Sequence, residues 1–148
     1  NNQWAYSTST KYQYACKQLS DRALGYGIPG FTIDGTDAEL VYQTVNEAVV
    51  RARAGQGPTL IEAVTMRLRG HSAADMAEYV PKEVLEEWKE KLPHKLYRDK
   101  LMARGWWSEQ EDQALVAKIS TEIDEAVAYA KNAADPEPWS GLDGVYAD

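Results

Sequence analysis

The loop that follows residue 69 carries the side chains best suited to chemistry. His71, Ser72 and Asp75 come directly after Gly70 among small residues. An imidazole can donate a hydrogen bond to a phosphate or move a proton near neutral pH, so His71 is the candidate catalytic residue. A loop histidine considered alone is more often a surface or hydrogen-bonding residue, so its surroundings must decide its role.

Other reactive side chains have simpler interpretations. Cys16 has no histidine near it in sequence, which favours a small buried apolar residue over a nucleophile. His94 follows Pro93 at a predicted helix start, where a structural or solvated role is expected. The glycines of 25–30 resemble a phosphate-binding loop but precede a strand, whereas the dinucleotide fingerprint must follow one.

The His71 loop is positioned by a predicted βαβ unit. Thr59 to Thr65 is a run of apolar and β-branched residues of strand length, opened by a Gly-Pro turn, and residues 31–34 form an earlier strand. Asp37 is a suitable N-cap for the helix between them, which ends near Gly55. The two strands should be parallel with a right-handed crossover, and open α/β sheets bind ligands beyond the carboxyl ends of their strands.

The rest of the sequence predicts loops near both ends of the chain and further helices, most of them after residue 80. Residues 1–10 have a loop composition, and the end of the chain, 135–139, is expected to be extended. Helical spacing, prolines, glycines and a Ser108/Glu111 capping box predict further helices. They cover 11–24, 82–92, 94–103 and 108–134. The predicted fold class is therefore α/β with a parallel sheet over 1–80, followed by a helical region over 81–148.

Composition limits the possible functions. The 148 residues suffice for one domain, which would bury roughly two thirds of its unfolded surface. A net charge of −7 and a pI near 4.9 argue against nucleic acid or an anionic membrane as the main partner. The single cysteine cannot form an internal disulfide, and no apolar run is long enough to span a bilayer. We therefore expect a cytoplasmic protein.

Several segments, in this order and spacing, resemble the α subunit of thiamine-diphosphate-dependent 2-oxo acid dehydrogenases. That group acts on pyruvate, branched-chain 2-oxo acids or acetoin. The similarity extends over nearly the whole chain, through Trp-Ser-Glu-Gln-Glu near residue 107 and Asp-Pro-Glu-Pro near 136. The segments that carry it are Asn-Asn-Gln-Trp-Ala-Tyr-Ser-Thr at 1–8, Gly-Ile-Pro-Gly-Phe-Thr-Ile-Asp-Gly-Thr-Asp at 27–37, Gly-Pro-Thr-Leu-Ile-Glu-Ala at 57–63 and Gly-His-Ser at 70–72.

The resemblance implies a cofactor and a metal. Family members bind thiamine diphosphate through Mg²⁺, which is held by a Gly-Asp-Gly motif, an asparagine downstream of it and a main-chain oxygen two residues further. Asn2 matches that asparagine and Trp4 the main-chain donor, and both ligand types suit Mg²⁺. The Gly-Asp-Gly is absent, so the chain is expected to be the carboxyl-terminal half of the subunit. Without the resemblance, Asn1 and Asn2 would be interpreted only as a polar loop.

The resemblance also implies roles for the loop. His71 matches a histidine that contacts the cofactor's phosphate end and assists at the reacting carbonyl or in acyl transfer. Ser72 matches a serine that is expected to contact the cofactor and that is phosphorylated in mitochondrial relatives. Asp75 and Tyr79 match loop positions, but Val80 stands where the family often has arginine, which puts the usual loop ion pairing in question.

The partners implied are a β subunit in an α2β2 assembly, a lipoyl domain of a transacylase and the amino-terminal half of the α subunit. The activity implied is oxidative decarboxylation of a 2-oxo acid, or cleavage of acetoin, with acyl transfer to the lipoyl group. Alone, this chain is expected to be inactive. The alternative is a non-catalytic assembly module whose helices only dock partners.

Overall fold

The computed structural model describes residues 1–146 and contains a parallel βαβ unit. Strand β3, Gly30–Asp34, pairs with β4, Leu60–Val64, in register from Gly30 opposite Leu60 to Asp34 opposite Val64. Helix α2, Ala38–Arg53, connects them. The earlier strands β1, Trp4–Ala5, and β2, Thr8–Ser9, form a small antiparallel hairpin. The predicted strands, the helix between them and their parallel pairing are confirmed.

Asn1 bonds to the free edge of the two-stranded parallel sheet. Its backbone nitrogen donates to Ala63 O at 2.8 Å, and Thr65 N donates to Asn1 O at 2.8 Å. This is the slanted bond pattern of a parallel ladder. Leu60 and Val64 bond toward β3 instead. Asn1 therefore lies on the edge of β4 opposite β3, and Asn2 leaves the sheet at its carboxyl edge.

Local signals explain the bounds of α2. The Asp37 carboxylate accepts from Glu39 N at 3.0 Å and Leu40 N at 3.1 Å, the predicted N-cap. Just beyond the other end, Gly55 has a φ of 73°. A left-handed residue is the usual end of a helix and favours glycine.

The predicted helix over 11–24 is wrong. In its place lie two 3₁₀ turns, Thr10–Tyr12 and Leu19–Arg22, and the single turn α1, Ala23–Tyr26. Gln18 is extended, with a φ of −135°, and its backbone N–H donates to Asp21 at 2.9 Å, which starts a new turn at Leu19. Tyr12, within this segment, is 77 % exposed. The loop predicted over 1–10 contains β1 and β2.

Helices follow the βαβ unit as predicted. Helix α3 spans Lys82–Lys89, shorter than the predicted 82–92, and α4 spans Pro93–Ala103 with the proline in its first turn. The carboxylate of Glu39 joins α2 to α4, because it accepts from Lys100 Nζ at 2.6 Å and from Arg104.

The chain forms two compact units, residues 1–104 and a second that begins at Gly105. In the second unit α5 spans Glu109–Asn132 and starts at the predicted capping box, with Ser108 N donating to Glu111 at 2.9 Å. A 3₁₀ turn, Pro138–Leu142, replaces the end of the predicted extended tail. The predicted domains 1–80 and 81–148 stay a prediction, and 147 and 148 lie outside the described residues.

The apolar core is small. Among the described residues the buried apolar side chains are Ala23, Ala77 and Val80, and Phe31 on the sheet is 49 % exposed. The described residues therefore do not show the larger core expected from the chain length. The mixed architecture with a small parallel sheet is compatible with the predicted α/β class, while the complete cofactor-binding fold stays a prediction. No described helix has the length and apolar character that a membrane span needs.

Candidate functional site

The segment from Asn1 to Trp4 turns sharply at the carboxyl edge of the sheet. Asn1 Oδ1 accepts from Gln3 N at 2.8 Å, and Asn2 Oδ1 accepts from Trp4 N at 3.0 Å. Gln3 has a φ of 66° and donates its side-chain amide to Thr65 O at 2.7 Å. Two consecutive asparagine turns thus fix the position of the Asn2 side-chain oxygen, which retains a lone pair.

The backbone carbonyl of Trp4 is directed to the same side. Trp4 pairs with Ser9, and Thr10 N donates to Gln3 O at 3.0 Å. That bond makes Trp4 and Ser9 a non-hydrogen-bonded pair, whose N–H and C=O both point away from the partner strand. The Trp4 N–H follows this rule, since it bonds to Asn2. The two predicted metal ligands, Asn2 Oδ1 and Trp4 O, therefore lie on one side of the hairpin.

Asp75 organises the His71 loop. One carboxylate oxygen accepts from His71 N at 2.6 Å and from the Tyr79 hydroxyl at 2.7 Å, and the other accepts from Ala77 N at 2.9 Å. The Tyr79 hydroxyl and these backbone donors hold the pKa of Asp75 below its ordinary value, and the same carboxylate raises the pKa of Tyr79. A Cβ on Gly70 would lie 1.8 Å from Asp75 O, so only glycine fits there.

Arg67, just beyond the end of β4, joins this loop to the hairpin. Its Nη2 donates to Tyr6 O and to the Tyr79 hydroxyl, each at 2.9 Å, and its Nη1 lies 3.5 Å from His71 Nδ1. Arg67 therefore places a cation beside the loop, bonded to the Tyr6 carbonyl and the Tyr79 hydroxyl. Val80 itself is only 4 % exposed and contributes to the core.

Aromatic rings complete the connection between the predicted metal ligands and His71. The Trp4 and Tyr79 rings are 5.5 Å apart, and Tyr6 lies 6.3 Å from Tyr79. Tyr6 also makes an edge contact with the His71 ring at 5.2 Å. Trp4 and His71, separated by most of the βαβ unit in sequence, thus belong to one cluster. His71 is exposed, and no hydrogen bond of its Nε2 occurs within residues 1–146.

The other predicted residues lie less centrally. Ser72 is exposed, and its carbonyl accepts from Asp75 N at 3.1 Å. Cys16 is half-buried and His94 is exposed. Across residues 1–146, no group of three His, Cys, Asp or Glu side chains is arranged to hold a metal ion. A metal here would depend on neutral oxygens such as those of Asn2 and Trp4.

A cleft of about 430 Å³ opens beside the hairpin. Arg22 lies on the wall of this cleft, and its Cζ atom is 5.9 Å from the centre of the Tyr14 ring. Polar and aromatic side chains dominate the lining, which suits a polar ligand. The lining residues are Asn1, Asn2, Trp4, Ala5, Thr10, Gln13, Tyr14, Leu19 and Arg22.

Sequence reasoning missed Glu62, Arg67 and Tyr6. Glu62, in the middle of β4, is only 6 % exposed and accepts from Asn1 Nδ2 at 2.6 Å and Ser20 N at 3.1 Å. Burial acts to raise its pKa, but the hydrogen bonds from Asn1, Ser20 and Thr32 outweigh it and leave the pKa lowered. A lone carboxylate inside an apolar strand was a readable signal, because such a group must find buried donors. Tyr6 and Arg67 carried no comparable signal.

Known proteins resemble this chain over nearly its whole length. The family model described as dehydrogenase E1 component matches residues 1–139. The 2-oxoisovalerate dehydrogenase subunit alpha of Bacillus subtilis is 43 % identical over 99 % of this chain and 45 % of its own length. The 3-methyl-2-oxobutanoate dehydrogenase subunit alpha of Mycobacterium tuberculosis is 40 % identical over 86 % of this chain and 36 % of its own length.

A pyruvate dehydrogenase E1 component subunit alpha, from Staphylococcus epidermidis, is 37 % identical over 100 % of this chain and 40 % of its own length. The chain therefore spans less than half the length of these relatives.

Proposed function

Because this chain belongs to the dehydrogenase E1 component family, we propose that it forms part of the α subunit of a thiamine-diphosphate-dependent 2-oxo acid dehydrogenase. The observation that carries the proposal is the shared direction of Asn2 Oδ1 and Trp4 O at the carboxyl edge of the sheet, beside the ring cluster of His71. The substrate is a 2-oxo acid, in keeping with the names of the relatives.

The residues of this edge fit a Mg²⁺ ion that accompanies a diphosphate. Mg²⁺ prefers oxygen ligands and commonly combines a few protein oxygens with phosphate oxygens. Asn2 would contribute its side-chain oxygen and Trp4 its backbone oxygen. Thiamine diphosphate, when bound, supplies the carbanion chemistry that decarboxylation of a 2-oxo acid requires.

His71 acts on the open side of the loop. Asp75 fixes its backbone, and the edge contact with Tyr6 orients its ring. The Nε2 atom can then donate to a phosphate oxygen or hold a proton for the reacting carbonyl. Ser72 would add a hydroxyl donor on the same loop. Both roles need an ordered loop. The hydrogen bonds among Arg67, Asp75 and Tyr79 keep it ordered.

The complete enzyme would contain more than this chain. We propose that it pairs with the rest of the α subunit and with a β subunit in an α2β2 assembly, and that a lipoyl domain accepts the acyl group. The charged metal ligand would come from a Gly-Asp-Gly outside these 148 residues, so residues 1–148 alone should be inactive.

Thermal unfolding tests the cofactor site. The full-length α subunit, assembled with its β subunit, is heated with and without thiamine diphosphate and Mg²⁺. A ligand at a hundred times its Kd stabilises the folded state by about 2.7 kcal/mol, so the wild-type midpoint should rise. Asn2→Ala should lose most of this rise. His71→Ala should retain much of it but lose turnover.

Matched controls are Asn46→Ala on the exposed surface of α2 and His94→Ala on α4, both of which should behave as wild type. If Asn2→Ala keeps the full rise, the metal assignment is wrong. If wild type shows no rise at all, the cofactor proposal fails and the docking-module alternative replaces it.

A further inference from the structure

Glu62 binds both walls of the cleft beside the hairpin. Its Oε1 accepts from Asn1 Nδ2 at 2.6 Å. Its Oε2 accepts from Ser20 N at 3.1 Å and from the Thr32 hydroxyl at 3.0 Å. Asn1 belongs to the wall that carries Asn2 and Trp4, and Ser20 belongs to the 3₁₀ turn Leu19–Arg22 that forms the facing wall. One carboxylate therefore sets the spacing between them.

The bond to Asn1 is directional and leads to the metal turn. Because Asn1 donates its Nδ2 to Glu62, its Oδ1 is the atom left to accept from Gln3 N at 2.8 Å. That acceptance forms the turn in which Gln3 adopts a φ of 66° and Asn2 reaches Trp4 N. If the Asn1 amide rotated by half a turn, an NH₂ group would face the Gln3 N–H and this turn would lose its bond.

We propose that Glu62 is a positioning residue that orients the Asn1 amide, and through it places Asn2 and Trp4 for Mg²⁺ while fixing the facing wall of the cleft. The inference rests on the proposed function. It also explains why a carboxylate stands within an apolar strand. A buried charge is costly unless hydrogen bonds satisfy it, and here three donors from three different segments do so.

The proposal predicts a specific rescue. In Glu62→Gln, the oxygen of the new carboxamide should face Ser20 N, which cannot reorient, so its NH₂ group faces Asn1 Nδ2. Two donors then oppose each other, and Asn1 can relieve this only by giving up Gln3 N. In the double variant with Asn1→Asp, one oxygen of the new carboxylate accepts from that NH₂ group and the other from Gln3 N. The net charge is unchanged and every bond is restored.

The test measures Mg²⁺ dependence rather than turnover. The unfolding midpoint of the full-length α subunit with its β subunit is followed against Mg²⁺ concentration at fixed thiamine diphosphate. Residues that orient metal ligands typically contribute tenfold or more to metal affinity, so Glu62→Gln should raise the half-saturating Mg²⁺ roughly tenfold. The double variant should return it close to the wild-type value. Glu47→Gln, an exposed carboxylate on α2, is the matched control and should change nothing.

Three results separate the outcomes. If Glu62→Gln lowers the midpoint without cofactor but leaves the half-saturating Mg²⁺ unchanged, Glu62 is only structural and the inference is overturned. Failure of Asn1→Asp to rescue overturns it as well. If Asn2→Ala also leaves the Mg²⁺ response intact, the proposed function itself is wrong. Should Glu62→Gln not fold, Asn1→Ala removes the bond to Glu62 together with the bond from Gln3 N, and an unchanged half-saturating Mg²⁺ in that variant would overturn the inference.

Discussion

The site edge and helix α5 are stabilised in different ways. Around the sheet edge, hydrogen bonds join residues about sixty positions apart, such as Asn1 with Glu62 and Tyr6 with Arg67. In α5 the side-chain bonds join residues one turn apart, such as Ser108 with Glu111 and Glu109 with Gln113. A change at the edge should therefore spread through the site, whereas a change in α5 should stay local.

Gly70→Ala should have the largest effect on the site edge. A methyl group would lie 1.8 Å from Asp75 O, so the loop backbone must move and the bonds of Asp75 to His71 and Tyr79 must change. Forcing extra volume into a packed position costs about 1–3 kcal/mol. We expect the full-length enzyme to lose activity and to unfold several degrees lower, as measured by calorimetry.

Gly25→Ala is the matched control, since a Cβ on Gly25 would meet nothing within 4 Å. It lies in α1, where alanine is the better helix former, so stability should be unchanged or slightly higher. Equal losses for the two variants would show that the close approach at Gly70 is not what keeps the loop in place.

Asp75→Asn should weaken the hydrogen bonds of the loop without introducing a steric clash with its backbone. The carboxamide can accept fewer bonds than the carboxylate and places an NH₂ group against one of its donors. Hydrogen exchange at the amides of His71 and Ala77 should become several-fold faster, while exchange in α5 stays as in wild type. Tyr79→Phe, which keeps the ring contacts but removes the hydroxyl, should have a smaller effect on the same amides. Faster exchange in α5 would contradict the separation of the two regions.

The same carboxylate predicts an acid limit for loop order. The hydrogen bond from Tyr79 and the backbone donors depress the pKa of Asp75 in the folded state below its ordinary 3.8. Its contribution to stability is therefore complete above the ordinary value and is lost as the pH falls through the lower folded value. Protease cleavage within 70–80 should thus rise below about pH 4 in wild type. Asp75→Asn should show fast cleavage at all pH values. If cleavage of this variant still rose at acid pH as in wild type, Asp75 would not be the group that controls the order of the loop.

Ser108→Ala should have the smallest and most local effect. It removes the N-cap of α5, which typically costs about 1 kcal/mol of helix stability. Hydrogen exchange should speed up in the first turns of α5, and the Mg²⁺ response should not change. Thr121→Ala, which removes a hydroxyl in the middle of the same helix, should leave the helix as stable or slightly more so. A change in the Mg²⁺ response of Ser108→Ala would show that α5 and the site edge are not independent.

Helix α5 also differs from the sheet in carrying an exposed apolar stripe. Several of its large side chains are exposed in the second unit, so the helix gains little from burial and depends on its caps and backbone bonds. The exposed residues are Leu115, Val116, Ile119, Ile123 and Val127. Strand β4 differs, because its central residue Glu62 is buried and bonded on both carboxylate oxygens.

The sequence alone predicted the elements whose signals are local. Local signals set both ends of α2, at Asp37 and Gly55, and the start of α5, at the Ser108/Glu111 box. The apolar run around Ile61 defined a strand. The helix predicted over 11–24 failed because the backbone is extended at Gln18 and a new capped turn begins there, which divides the segment. The family resemblance was confirmed, while the roles of Asn2, Trp4, His71 and Ser72 stay predictions.

Only the tertiary structure decided which distant side chains meet. The parallel register of β3 and β4, with Asn1 on the free edge of β4, brings the turn at Asn2 and the loop at His71 to the same end of the sheet. From that placement follow the hydrogen bonds of Glu62, Arg67 and Tyr6, whose partners no spacing in the sequence indicates. The physical reason is that helix caps and periodicity act over one turn of chain. A hydrogen bond between residues sixty apart exists only once the sheet has fixed the distance between them.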